Sequence, residues 1–392
     1  MSLTVTLLPH RPTGGGMITY HIWLAKALSS LNVEVKIVGF GNRPYPIQND
    51  SRIEYLSLGR DPGYLDWFGG IFTTYSYIKD RVSRVLNSEA RGSDILHFIY
   101  PEATVRSSSI NQRVVATAWG FSSIGDILSD AHYRYSGLWK LFGMIADFQF
   151  HLLDTHAFKK ADGIICTTSA AERVYRSVTK DRVSYLPVPV ELPPAFDIKR
   201  ELDTVPFSLQ LLFAERSLDR PRNNVWMLLE AMKRLRPSTR RIVTLQLVGG
   251  YTPQLHTAVR NLKLQGNCIN LYDYLPQIEF HKLVRAADVC LVLRYIRELP
   301  STWMLEAMAS GLAIVGLDMS AYGDLITPLR NGILIKQGDS QGLADAIELL
   351  ANNPGILTRM KLESRAIIER EHDPAIVGKK YVDFYSKLLC SK

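Results

Sequence analysis

Two consecutive doubly wound α/β domains are what this 392-residue sequence predicts, and three observations carry the prediction. Short β-rich runs alternate with longer helical stretches along the chain, the pattern of parallel sheets with helical crossovers. A proline-rich stretch from Leu186 to Pro206, holding Pro187, Pro189, Pro193, Pro194 and Pro206, interrupts that alternation and reads as a linker. The alternation then restarts in a second half of similar length. The length agrees, because single cores rarely grow past ~250–300 residues. In such sheets ligands bind outside the carboxyl ends of the strands, so the active site is expected in a cleft between two facing domains.

The elements follow in order. Strands are expected at Leu3–Leu8, Val33–Phe40, Ile53–Leu58, Ile95–Tyr100, Val114–Trp119, Gly163–Thr168 and Ser184–Pro187 in the first half. In the second half they are expected at Leu209–Ala214, Ile242–Val248, Ile269–Tyr274, Val289–Leu293, Ala313–Leu317 and Gly332–Ile335. Helices lie between them, for example Val225–Arg236 and Gln277–Ala286. The boundaries expected are a first domain over 1–190, a linker over 191–206 and a second domain over 207–372.

Composition narrows the class. Hydrophobic residues at 46% and charged residues at 21% describe a globular chain rather than a disordered one. No apolar run reaches the ~18 residues that span a bilayer. MSLTVTLLP has no basic segment ahead of its apolar residues, so it reads as a first strand and not as a signal peptide. The four cysteines, Cys166, Cys268, Cys290 and Cys390, show neither a C-x-x-C pair nor histidines at zinc spacing, which suits a reducing cytoplasm. The net charge of +8 is spread along the chain and favours anionic partners such as nucleotide phosphates, phospholipid headgroups or lipid-linked phosphates. Zinc-finger, RNP1 and helix-turn-helix signatures are missing, which argues against nucleic acid.

Four loops carry the chemistry. In RELPSTWMLEAMASG, Glu298 and Glu306 are separated by seven residues. Ser301 is a candidate N-cap, and Gly311 stands where a helix would close at C′. Backbone amides near Ser301, Thr302 and Trp303 would then face a phosphate, favoured by the helix dipole. An isolated pair of glutamates at this spacing is a weak signal, and a capped helix with solvated acids is the better reading of it taken alone. In LLFAERSLDRPRNNVWMLLEAM, Arg216, Arg220 and Arg222 follow a strand expected to end near Ala214, and suit the charge of a diphosphate leaving group. Gly14, Gly15 and Gly16 follow the first strand, where backbone amides can approach a ligand closely. They do not form a G-x-G-x-x-G site, and no acidic residue is placed to grip a ribose, which argues against a dehydrogenase. No Asp-x-Asp occurs, so no metal site and no cofactor are expected.

The stretch from Glu298 through MLEAMASGLAIVG resembles the E-x7-E donor-binding segment of retaining GT-B glycosyltransferases, the family-4-like group also called glycosyl transferases group 1. RIVTLQLVGG, NLYDYLPQIEFHKLVRAADVCLVL, IVGLDMSAYGDLI, NGILIKQGDSQGLADAIELL and PTGGGMITYHIWLAKAL extend the likeness along most of the chain. The resemblance implies a Rossmann-like pair of domains, the first binding the acceptor and the second the donor. Asp373–Leu389 resembles the last helix of the group, so 373–392 would cross back to the first domain. By the same resemblance Glu298 orients the sugar hydroxyls, Glu306 holds the ribose, and Gly15 and Gly16 line the diphosphate region. Arg216 and a second cation, Arg222 or Arg220 with Arg222 preferred, would take the leaving-group charge. The implied reaction is retaining, metal-independent transfer from a UDP- or GDP-sugar to a glycan or lipid-linked acceptor.

The chain departs from the group at several points. Trp119 in VVATAWGF stands where the group has a histidine that meets the donor sugar, and His97, His10 and His21 are candidates to compensate. Glu215 replaces a glycine, and Leu299-Pro300 replaces Phe-Gly after Glu298. These departures keep two alternatives open: a degenerate binding or regulatory subunit, and a nucleotide-sugar 2-epimerase. His132–Lys160 is aromatic with basic edges, which fits first a pair of helices packed on the sheet of the first domain, and otherwise a pocket for a lipid-linked acceptor or a peripheral contact with the inner face of an anionic membrane.

Overall fold

The computed structural model describes residues 3–8, 16–40, 50–58, 80–90, 92–99, 112–118, 144, 148, 152, 155–179, 182–193, 208–264, 268–295, 302–319 and 322–391. Residue contacts divide them into two units. One holds the described residues up to Glu191 together with those from Glu371 onward, and the other runs from Leu192 to Arg370.

The first unit is a seven-stranded parallel sheet in the order β3-β2-β1-β4-β5-β6-β7. Its strands are β1 Thr4–Leu8, β2 Glu34–Gly39, β3 Ile53–Ser57, β4 Ile95–Phe98, β5 Arg113–Ala118, β6 Gly163–Cys166 and β7 Val183–Tyr185. They are nearly continuous apolar runs because helices cover both faces of such a sheet. Helix α1 (Gly16–Ser29) buries Tyr20, Trp23, Leu24, Ala27 and Leu28, one stripe at helical spacing. Helix α2 (Ser169–Thr179) follows β6.

The second unit is a six-stranded parallel sheet in the order β10-β9-β8-β11-β12-β13. Its strands are β8 Leu209–Ser217, β9 Val243–Gly250, β10 Cys268–Tyr272, β11 Val289–Val292, β12 Ala313–Leu317 and β13 Gly332–Ile335. Its helices are α3 Val225–Arg234, α4 Pro237–Arg240, α5 Pro253–Leu264, α6 Gln277–Ala286, α7 Thr302–Ala309, α8 Ser340–Asn352 and α9 Pro354–Ile367. Lys361 on α9 is fully buried, and its Nζ lies 2.8 Å from Oδ1 of Asp288, whose Oδ2 accepts from the backbone of Gln210 at 2.9 Å. A buried cation persists only when paired in this way, and the pair fastens α9 to the edge of β8 and β11.

A π-helical turn, Ile368–His372, continues α9, and the chain passes within it from the second unit back to the first. The last helix, α10 (Pro374–Cys390), is set by Asp373, whose Oδ1 accepts from the amides of Ala375 and Ile376 at 2.8 and 3.3 Å, and by Pro374 at the first helical position. It packs on α1, where a Cβ on Gly378 would stand 2.9 Å from the carbonyl oxygen of Ala27. Tyr381 Oη lies 2.8 Å from Tyr20 Oη, and Tyr385 Oη lies 2.8 Å from Nδ1 of His97.

His97 is therefore a correction. It was a candidate for contact with sugar or acceptor, yet it is fully buried in β4, with Nε2 2.6 Å from Thr117 Oγ1. Burial, helped by the charge of His21, pushes its pKa down to about 3, so it stays neutral and serves the packing of α10. Tyr385→Phe would leave a buried ring nitrogen without its partner, and an orphaned buried polar atom costs about 1–3 kcal/mol. A lowered Tm for that variant is the expected result, and an unchanged Tm would show that the contact contributes nothing.

Candidate donor site

The strand order reverses at β8, with β9 on one side and β11 on the other. The carboxyl ends of β8 and β11 thus flank the point where open α/β sheets hold their ligands. Strand β8 runs three residues beyond the end expected at Ala214. A register shift between Ala214 and Ser217 sets Ser217 opposite Gly250, so Arg216 sits on the bulged strand end and not in a loop. Strand β9 likewise runs on to Gly250. Tyr274 Oη donates to the carbonyl of Arg216 at 2.5 Å, and the amide of Leu218 donates to Gly250 O at 2.8 Å.

Beyond β8 the chain makes a 3₁₀ turn over Pro221–Asn223 and enters α3 through Asn224, whose φ of 56° is left-handed. Asparagine tolerates that conformation, and here its amide also ties three loops together. Its Nδ2 donates to Leu293 O at 2.7 Å, and it exchanges bonds of 3.1 and 2.9 Å with the side-chain amide of Gln337. The carbonyl of Arg222 accepts from the amide of Tyr295 at 2.6 Å. Arg222 is half-buried, whereas Arg216 and Arg220 are exposed. Sequence reasoning missed Arg294, half-buried and directly after β11, whose carbonyl accepts from Tyr322 Oη at 3.1 Å. It opens RYIRELP, where no local pattern distinguishes it from a surface arginine.

Helix α7 descends from the same edge of the sheet. It buries Met304, Leu305, Ala307, Met308 and Ala309, leaving Glu306 half-buried. Gly311 closes it as expected: at φ 74° its amide bonds Met308 O at 2.9 Å, and the amide of Leu312 bonds Ala307 O at 3.0 Å. Trp303 packs on Phe280 of α6 with ring centroids 5.1 Å apart. The first amides of α7, from Thr302 onward, have no acceptor within the helix, which suits an anion.

The described residues thus bring Arg216, Arg222, Thr302, Trp303 and Glu306 to one edge of the second sheet. Gly16 opens α1 in the first unit. Glu298, Ser301, Gly15 and Trp119 lie outside the described residues, as do the linker from residue 194 and most of 132–160.

Residues 209–353 match the family described as "Glycosyl transferases group 1". The match marks this segment of the second unit as similar to a group 1 glycosyltransferase domain. Among curated proteins, the chain is 27% identical over 146 residues to the amylovoran biosynthesis glycosyltransferase AmsK of Erwinia amylovora, covering 36% of this chain and 35% of that protein. It is 25% identical over 176 residues to the phosphatidyl-myo-inositol mannosyltransferase of Mycobacterium leprae, covering 44% of this chain and 45% of that protein. The chain therefore spans less than half the length of the curated relatives it matches. Among solved structures, sucrose-phosphate synthase from Thermosynechococcus elongatus aligns over 100% of both chains with a TM-score of 0.77 at 19% identity. HepE from Anabaena, solved with UDP-glucose, aligns over 98% of this chain and 100% of its own with a TM-score of 0.70 at 16% identity. These likenesses extend beyond the matched segment to both units and show the two-domain, Rossmann-like GT-B fold. No helix among the described residues is long and apolar enough to cross a membrane.

Within the matched segment, burial pushes the Glu306 carboxyl up from its usual 4.5 to about 7. An acid raised by folding gives its full stability below pH 4.5 and loses it as pH rises through about 7. Glu306→Gln removes that loss, which for a shift of this size is about 3 kcal/mol. The variant should therefore gain Tm over wild type at pH 8 and not at pH 4, read by thermal unfolding without ligand. Equal gains at both pH values would place the carboxyl in a polar setting.

Proposed function

We propose that this protein transfers a sugar from a nucleoside diphosphate-sugar to an acceptor hydroxyl with retention of configuration and without a metal ion. The observation that carries the reading is the convergence, at the β8/β11 edge, of Arg216 and Arg222 with the amino end of α7 and Glu306. A diphosphate between the arginines and those amides would meet fixed positive charge where negative charge grows as the glycosidic bond breaks. Glu306 would accept hydrogen bonds from the ribose, and Glu298 would orient the sugar hydroxyls. The anomeric carbon loses its phosphate oxygen, the acceptor oxygen bonds to the same face, and the acceptor's proton passes to the departing phosphate. HepE was solved with UDP-glucose, which supports a UDP-sugar before a GDP-sugar. AmsK acts in amylovoran biosynthesis, which supports a cell-envelope glycan as acceptor. Phe148 and Leu152 are 41% and 52% exposed close in sequence to Lys159 and Lys160, which supports peripheral contact with an anionic inner-membrane face from the cytoplasm.

Calorimetric binding of a panel of nucleoside diphosphates and their sugars, in a chelating buffer, tests the donor site on wild type and Arg216→Ala. Saturable binding of one nucleotide, weakened in the variant, supports the reading; binding that requires magnesium overturns its metal-free form. Glu215 among the arginines favours a second reading, a binding subunit that holds the nucleotide-sugar without turnover. Product anomer analysis separates the two, because a subunit yields no glycoside and a 2-epimerase yields a free sugar.

A further inference from the structure

Glu215 is the last residue a diphosphate subsite would be expected to hold. It lies at the carboxyl end of β8, half-buried, one residue before Arg216. Three arginines on two segments act on it. Arg220 and Arg222 approach from the loop that follows β8, and Arg294 from the end of β11. Its charge also helps to raise the pKa of Cys290 in β11 and of Tyr322 after β12, both fully buried. Among the described residues Glu215 makes no ion pair within 4.0 Å, so the arginines act on it across a gap. Burial outweighs their attraction and raises its pKa.

Arg294 is built to serve an anion. Its backbone is fixed from two sides, by the bond from Tyr322 Oη and by the link from the neighbouring Tyr295 amide to Arg222 O. Its Nε is shielded from water and has no hydrogen-bond partner among the described residues. A sheltered guanidinium N–H without an acceptor is costly, and an anion between β8 and β11 would supply one.

Building on the donor-site reading above, we propose that Arg294 is an additional cation of the diphosphate subsite and that Glu215 is its built-in counter-anion, which loosens the hold on the nucleoside diphosphate product and speeds its release. The two residues act with opposite sign on one ligand. Three arginines and one glutamate give the cluster a net charge of +2, counted from Arg220, Arg222, Arg294 and Glu215, and removing the carboxylate raises it to +3. A nucleoside diphosphate gains its extra negative charge on leaving the sugar, so an uncompensated cluster would grip the product harder than the donor. Glu215 offsets that excess and limits product inhibition.

The test is calorimetric affinity at one pH and at two salt concentrations, with inorganic pyrophosphate and with the nucleoside diphosphate that wild type prefers. Glu215→Gln should tighten both ligands about tenfold, and Arg294→Gln should weaken both about tenfold, as expected for single charges acting across a partly solvated gap. Glu215→Gln should also steepen the salt dependence, and Arg294→Gln should flatten it. Thermal unfolding checks that each variant folds, with Glu215→Ala as the second charge-removing variant. Unchanged or weaker affinity in a folded Glu215 variant overturns the proposal, as does loss of folding in both Glu215 variants, which would make the residue structural. If pyrophosphate follows the expected pattern while no nucleotide binds, the subsite stands and the sugar-donor reading falls. If neither ligand binds wild type, both fall.

Discussion

On the proposed function, Arg222→Met should lower kcat/KM for sugar transfer about 100- to 1,000-fold, the cost of removing one preorganised group from a developing oxyanion. The half-buried position of Arg222 is what makes the effect large. Its backbone is clamped by the amide of Tyr295, and Asn224, two residues on, ties this loop to Leu293 after β11 and Gln337 after β13. The backbone that carries the guanidinium is therefore held in advance, and the charge is worth more in a partly desolvated site than on an open surface. Methionine keeps the apolar stem and removes the charge together with the guanidinium N–H donors, so thermal unfolding must show that the variant folds. The loss should fall mainly on kcat, because the diphosphate carries more charge in the transition state than in the donor. Steady-state kinetics with the preferred donor is the check, and a loss below about threefold would reassign the second cation to Arg220 or Arg294.

Gly249→Ala produces the largest loss of stability expected in the second unit. Gly249 adopts a φ of 138°, and a Cβ there would collide with the carbonyl oxygen of Glu215 on the adjacent strand. Neither partner can yield, since that carbonyl belongs to the bulge that carries Glu215 and Arg216. Backbone strain and overpacking together cost about 3–5 kcal/mol, which lowers Tm by roughly 10 °C in a unit of this size. Gly250→Ala is the internal control. Its Cβ would approach Tyr274 Oη at 3.3 Å, and Tyr274 is a 67% exposed side chain that can give way at the cost of its exposed bond to the Arg216 carbonyl. Differential scanning calorimetry of the two variants should separate them clearly. Equal Tm values would mean that the bulge can relax and that Arg216 is not rigidly presented.

The sequence by itself determined the two α/β halves, because β-rich runs and amphipathic stretches record burial one residue at a time. Strands β12 and β13 fall at Ala313–Leu317 and Gly332–Ile335 as expected, and Gly311 ends α7 with the geometry its position implied. It also pointed to Arg216, Arg222 and Glu306, whose charges stand out against an apolar strand and a capped helix. Tertiary structure alone decided the rest. The extension of β8 to Ser217 depends on pairing with Gly250, a partner distant in sequence, so no local pattern announces it. His97 looks like any histidine until β4, Thr117 and Tyr385 enclose it and deprive it of both water and charge. Arg294 and Glu215 lie 79 positions apart in the numbering, and only the pairing of β8 with β11 brings them to the same end of one sheet. Burial and electrostatic coupling are properties of that pairing, which arises only when the sheet closes.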